Sequence, residues 1–265
     1  MQIIFENRPL HVQLYGHSGE PVVLLHGFLE SAAVWQAFIP ELSTAYQLVI
    51  PDLFGHGKTP GFGAIHHMEK MAEALGKIMD TLGIASAKFI GHSMGGYVSL
   101  AFLERYPERV SGILLLNSSP FADSAARLKE RDQVIKIVQK HKEIMVKSGV
   151  NRLFSLDNRA LFKDRIENLI AQALKMETAS IIATTKGMQQ RPDRTFVLKN
   201  YRGDKWIFAG QKDALIPCEA LEEAALETGA CLYKFPGGHM TYIEDQVEVI
   251  RGVQCFLSGR PFVHA

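Results

Sequence analysis

Gly91-His92-Ser93-Met94-Gly95 is the run with the clearest chemical content in this 265-residue chain. It has the form G-x-S-x-G, with an apolar stretch at 88–90 before it and a helical stretch after it. In a strand–turn–helix setting such a turn is tight enough to strain the serine backbone and project its hydroxyl. Gly91, Gly95 and Gly96 leave room for strand and helix to approach each other. Ser93 is therefore the candidate nucleophile. The start of the following helix offers free N–H groups, and the one on Met94 can meet a developing oxyanion.

A serine hydroxyl needs a base, and the base needs an orienting acid. The chain has ten histidines. His239 lies in Phe235-Pro236-Gly237-Gly238-His239-Met240, just after the last apolar strand, on a loop that glycines make flexible. Asp213 lies in Ala209-Gly210-Gln211-Lys212-Asp213, just after the preceding strand, and Ile216-Pro217 then opens a helix. Both loops fall at the same sheet edge as Ser93. The chain order Ser, Asp, His is a known order for a catalytic triad.

Such loops require strands that end together. Apolar runs at 22–26, 47–51, 88–91 and 112–116 are bounded by Gly, Pro or Asp. They lack polar alternation, which suits parallel strands covered on both faces. Alternating segments at 3–6 and 11–15 predict an antiparallel start. Further strands are expected at 205–209 and 231–235, and helices at 68–82, 97–106, 218–227 and 247–257. The pattern implies an α/β fold. Its mostly parallel sheet has about eight strands, with helices on both faces. Residues 123–188 break the alternation. They are charged and helical, with Ile137, Leu161 and Ile170 among the apolar positions expected to be buried. The expected organisation is a core of 1–121 and 190–265 with an inserted helical cap at 122–189.

Taken together, the chain resembles the α/β-hydrolase family, closest to its capped, esterase-like members. The resemblance rests on Leu25-His26-Gly27-Phe28, Pro51-Asp52-Leu53-Phe54-Gly55-His56-Gly57, Gly91-His92-Ser93-Met94-Gly95-Gly96, and the Asp213 and His239 loops. It implies that the backbone N–H of Phe28 is the second oxyanion donor and that the Phe28 ring lines the acyl pocket. His92, beside the nucleophile, is expected at the substrate site. His26, His56 and His92 are expected to orient loops rather than transfer protons. Asp123 follows the 113–116 strand, where a minority of the family carries the triad acid, and is the alternative to Asp213. Asp52 is assigned a structural role, and Asp204 precedes its strand at the wrong sheet end. Ser93 in the elbow disfavours the Asp-nucleophile branches of the family.

Other features point away from competing functions. His66 and His67 fit a helix start and no H-E-x-x-H zinc helix. His11, His17, His141 and His264 read as surface, and Lys129-Glu130-Arg131-Asp132 as a solvated helix face. Gly57-Lys58-Thr59 mimics a phosphate loop, but Asp52 stands where that loop needs glycine. No G-x-G-x-x-G run is present. Cys218, Cys231 and Cys255 are an odd set without C-x-x-C spacing, so they read as inert thiols in a reducing compartment. The formal charge of +1 favours neither nucleic acid nor an anionic membrane. No apolar stretch suits a signal peptide or a membrane helix. A cytoplasmic protein without cofactor or metal is expected, acting on a small acyl substrate, and a homodimer is compatible with the sequence. Ester hydrolysis through an acyl-enzyme is the leading function. Carbon–carbon bond hydrolysis, lyase or acyl-transfer chemistry is the second reading, and a slow-turnover ligand sensor the third.

Overall fold

The structure, a computed structural model, describes residues 1–263. Its strands are β1 (Gln2–Phe5), β2 (Arg8–Tyr15), β3 (Pro21–Leu25), β4 (Gln47–Pro51), β5 (Ala87–His92), β6 (Val110–Leu116), β7 (Asp204–Gly210) and β8 (Cys231–Phe235). They form one sheet in the order β1-β2-β4-β3-β5-β6-β7-β8. β1 with β2 and β2 with β4 are antiparallel, and every later pairing is parallel. The parallel strands therefore share one carboxyl edge, where the turns after β3, β5, β6, β7 and β8 converge.

The helices are α1 (Ile39–Leu42), α2 (Met68–Thr81), α3 (Met94–Arg105), α4 (Ala125–Leu153), α5 (Lys163–Ala173), α6 (Thr178–Gln189), α7 (Thr195–Asn200), α8 (Cys218–Thr228), α9 (Thr241–Glu244) and α10 (Gln246–Ser258). They cover both faces, which is why the central strands carry no polar alternation. Val23, Leu25, Phe89, Ile113 and Leu115 pack toward α2, α3 and α8. Val22, Leu24, Ile90, Leu114 and Leu116 pack on the other side with α10, Trp35 and Phe38. Each fully buried side chain of this size is worth about 1.5–3 kcal/mol of transfer free energy.

The stretch read as an insertion holds α4, α5 and α6, with no strand among the described residues. Ser124 caps α4 by accepting the Arg127 N–H. His141 has non-helical angles (φ −140°, ψ 57°) and divides α4 into two halves. The expectation of buried apolar faces needs correction at two positions. Leu161 is 76% exposed because it lies in the turn before α5, outside any helix. Ile137 is 41% exposed because it faces a cavity rather than a packed neighbour. Ile170 packs against the core as expected. His264 lies outside the described residues.

The junction of β5 and α3 is closely packed. Ser93 adopts φ 49° and ψ −115°, a region side chains rarely occupy. A Cβ on Gly91 would stand 2.5 Å from the Gly95 carbonyl. One on Gly95 would collide with the Leu25 carbonyl at the end of β3. Gly95→Ala should therefore push α3 off the sheet and cost about 1–3 kcal/mol of stability, as for other overpacked sites. Urea unfolding measures this, and an unchanged midpoint would contradict the packing described.

Candidate active site

Ser93, His239 and Asp213 come from three loops of the carboxyl edge. The Ser93 hydroxyl stands 2.8 Å from His239 Nε2, and His239 Nδ1 stands 2.7 Å from Asp213 Oδ2. With Nδ1–H donating to the carboxylate, Nε2 is left to accept the serine proton. Asp213 and His239 are buried, while Ser93 keeps part of its surface open. The other Asp213 oxygen accepts the N–H groups of Leu215 (2.8 Å) and Ile216 (3.0 Å). Burial works to raise the Asp213 carboxyl, but the adjoining His239 and these donors outweigh it and hold it below the usual carboxylate range. Asp213 is thus an ionised, fixed acceptor at neutral pH. Asp123 is not near this chain of hydrogen bonds. It pairs with Arg131 and Arg191 at the root of α4, which also buries Arg131 and overturns its reading as part of a solvated face.

Two backbone segments border the site. Met94 opens α3, where the first N–H groups have no intrahelical acceptor. Phe28 lines the cavity with Ser93 and His239. Its turn is fixed by buried side chains. His26 donates to the Gly27 carbonyl and accepts the Leu53 N–H. His56 donates to the Phe54 carbonyl. Burial holds His26 below its ordinary pKa and His56 well below it, so both stay neutral and can accept through one nitrogen. Asp52 accepts from the Ala32 and Lys58 N–H groups and pairs with His11 at 2.9 Å. His11 is thus a partner in this loop rather than a free surface group.

His92 departs from expectation. Its ring is fully buried and does not reach the cavity, since Glu30 and the backbone of His239 occupy its two nitrogens. His66 bonds Thr184 of α6 and accepts the Phe62 N–H, and burial lowers it to about 4. His67 precedes α2 as its N-cap residue, as the sequence suggested. Cys231 is exposed, Cys218 is buried and Cys255 is half-buried, all as free thiols.

Sequence reasoning also missed Asn117 and Glu244. Asn117 follows β6 with φ 46° and donates to both Asp213 and the Gly238 carbonyl, each at 3.1 Å. Its place at the end of a central parallel strand was the available signal. Glu244 of α9 accepts from the Gly238 N–H (2.8 Å), the Ser155 hydroxyl (2.6 Å) and the Asn158 amide (2.8 Å). The His239 N–H also donates to the Leu153 carbonyl, at 2.8 Å. The histidine loop is therefore bonded directly to the segment that ends α4.

Above Ser93 lies a cavity of about 360 Å³, at the small end for ligand pockets. Phe28, Tyr97, Leu215 and Ile216 line it from the core, and Val134, Ile137, Met145 and Leu153 from α4. Arg127, Glu130 and Arg152 add charge. Among the described residues, no group of three or more His, Cys, Asp or Glu side chains is arranged to hold a metal, and no helix is long and apolar enough to cross a membrane.

Comparison with known families bears on the fold. The family model for the alpha/beta hydrolase fold matches residues 20–246. The chain belongs to the alpha/beta hydrolase fold family. It is similar to a structure of a thermophilic esterase from Thermogutta terrifontis, with 26% identity, TM-score 0.89 and 98% of each chain covered. An enol-lactonase from Burkholderia xenovorans shares the fold at 19% identity and TM-score 0.90, covering 97% of this chain and 100% of that one. A relative from Burkholderia vietnamiensis named 2-hydroxy-6-oxononadienedioate/2-hydroxy-6-oxononatrienedioate hydrolase is 25% identical over 226 residues, 79% of this chain and 76% of that one. In this alpha/beta hydrolase, Glu244→Ala should cost about 1.5–3 kcal/mol, the worth of hydrogen bonds to a charged group. Amide exchange at Gly238 and Ser155 should speed up in the variant, and unchanged exchange would show that Glu244 does not hold the loop.

Proposed function

We propose that this alpha/beta hydrolase is a serine hydrolase of small acyl substrates, cleaving an ester through an acyl-enzyme. The supporting observation is the continuous chain Ser93–His239–Asp213, at 2.8 and 2.7 Å, on the floor of a largely apolar cavity. In this reading Ser93 Oγ attacks the substrate carbonyl as its proton passes to His239 Nε2. The tetrahedral oxyanion takes hydrogen bonds from the Phe28 and Met94 N–H groups. His239 then returns the proton to the leaving alkoxide, and the carbon–oxygen bond breaks. Water, deprotonated by the same nitrogen, cleaves the acyl-enzyme and restores Ser93. Asp213 holds the Nδ1–H tautomer and balances the imidazolium that forms.

A second reading is carbon–carbon bond hydrolysis, lyase or acyl-transfer chemistry with the same residues. The relative from Burkholderia vietnamiensis favours it, because its name gives an oxo-dienedioate, not an ester, as substrate. A series of p-nitrophenyl esters separates the readings. Ester hydrolysis predicts a burst of one nitrophenol per site followed by steady turnover. Absent turnover with tight ligand binding would favour a sensor.

Ser93→Ala should lower turnover by about 10⁴–10⁶-fold with the fold intact, and Asp213→Asn by about 10⁴-fold through the wrong histidine tautomer. Near-wild-type kcat/KM in the first variant would remove Ser93 from the mechanism. Loss in Asp123→Asn but not Asp213→Asn would move the acid.

The helices between β6 and β7 act in this proposal as a lid that sets chain length. Apolar walls gain about 0.8 kcal/mol per buried CH₂ until the space is filled. A maximum in kcat/KM is expected at a short to medium acyl chain. Met145→Trp should fill the cavity and move that maximum to shorter chains. An unchanged chain-length profile would place the acyl group elsewhere.

A further inference from the structure

Behind the triad lies a second histidine–carboxylate pair that the mechanism above does not use. His92 is enclosed on all sides, with Nδ1 3.1 Å from the Glu30 carboxylate and Nε2 3.0 Å from the His239 carbonyl. Both neighbours are hydrogen-bond acceptors. A neutral imidazole carries one N–H and could satisfy only one of them. The other nitrogen would then present a lone pair to an oxygen lone pair in a dry site, which is costly. With Glu30 ionised, held below its ordinary value, the geometry calls for a proton on each ring nitrogen, and the two charges balance. Glu30 in turn accepts the Gly27 N–H at 2.7 Å.

The pair joins three parts of the site. Gly27 precedes Phe28 in the turn that offers the oxyanion N–H, His92 precedes Ser93 in the elbow, and the carbonyl belongs to His239 itself. We propose that Glu30 and a His92 protonated at neutral pH form a buried ion pair that positions the oxyanion turn and the catalytic histidine relative to Ser93. The inference rests on the serine-hydrolase reading for its catalytic consequence. The charge state of the pair stands on the geometry together with an ionised Glu30, independently of that reading. His92 is a positioning residue and exchanges no proton with substrate.

The groups facing the pair are consistent with this. Burial works to lower His92, but the Glu30 charge and hydrogen bond, the His239 carbonyl and the Asp213 charge together hold it above its ordinary 6.5. Burial works to raise Glu30, but His92, the Gly27 N–H and His26 hold it below its ordinary value. The Tyr242 ring closes the pocket at 4.8 Å from His92 and the His239 ring lies at 5.0 Å. Burial pushes the Tyr242 phenol well above its usual range, so it stays neutral there. The raised His92 pKa means that the brace is complete below pH 6.5 and is lost as pH rises through the folded-state value. The lowered Glu30 pKa makes its contribution complete above the ordinary carboxylate value, and it is lost as pH falls through the folded-state one. The pair therefore adds an alkaline limb to kcat.

Nitrogen-15 NMR of the imidazole rings tests the charge state in the wild-type protein, with His92 assigned by loss of its signals in His92→Asn. Two protonated nitrogens on His92 at pH 7 are expected. In Glu30→Gln the amide can donate to Nδ1, so the ring should become neutral and the alkaline limb of kcat should disappear. Glu30→Ala should lower kcat on the order of 10²-fold, the cost of a misplaced catalytic group, with little change in KM. A neutral His92 ring in the wild type, or the same pH profile in wild type and Glu30→Gln, would overturn the proposal. Full activity in Ser93→Ala would instead defeat the serine-hydrolase reading while the ring signals still reported the pair.

Discussion

The site depends on the turn between β5 and α3, where Ser93 is held at φ 49° and ψ −115°. That conformation costs on the order of 1–3 kcal/mol and persists only where the surroundings over-determine it. Here they do. The Ser93 N–H donates to the Leu116 carbonyl of β6 at 3.0 Å, and the Ser118 hydroxyl donates to the Ser93 carbonyl at 2.7 Å. Gly91, Gly95 and Gly96 let α3 lie where any Cβ would meet backbone or Ser118. The same close approach that strains the serine brings the start of α3, and the Met94 N–H, to the sheet edge.

Around this turn, the other loops are fixed by buried polar groups rather than by their own stiffness. Asn117 ties the end of β6 to the Asp213 and Gly238 loops. Glu244 ties Gly238 to Ser155 and Asn158, beyond α4. His26 and His56 brace the turn that carries Phe28. Burial sorts the histidines by charge. Those bonded only to backbone in this region stay neutral, whereas His92, beside Glu30, is held above its ordinary value. The segment that ends α4 shares hydrogen bonds with the histidine loop, so movement of either disturbs the other.

Much of the fold was legible because its signals are local. The unalternated runs of β3, β5 and β6 reflect cover on both faces, and the Gly-rich elbow reflects a contact made within a few residues. Asp213 and His239 were legible because each directly follows a recognisable strand. Glu30, Asn117 and Glu244 were not, because they act through partners far along the chain. The Glu30–His92 pair is 62 residues apart, His92 and His239 are 147 apart, and Ser155 and Glu244 are 89 apart. His92 was read by its neighbour, Ser93, but a strand's side chains alternate, and the turn sends Ser93 outward while His92 stays in the sheet interior. Leu161 was assigned a buried helical face because apolar spacing does not show where a helix begins.

Ser93 is proposed as the activated nucleophile, with its reactivity coming from His239. Labelling with a fluorophosphonate, followed by peptide mass spectrometry, tests it without knowledge of the physiological substrate. Stoichiometric phosphonylation of Ser93 alone is expected, with labelling slowed by orders of magnitude in His239→Gln. Labelling of a different residue, or no labelling in a preparation that turns over esters, would contradict it.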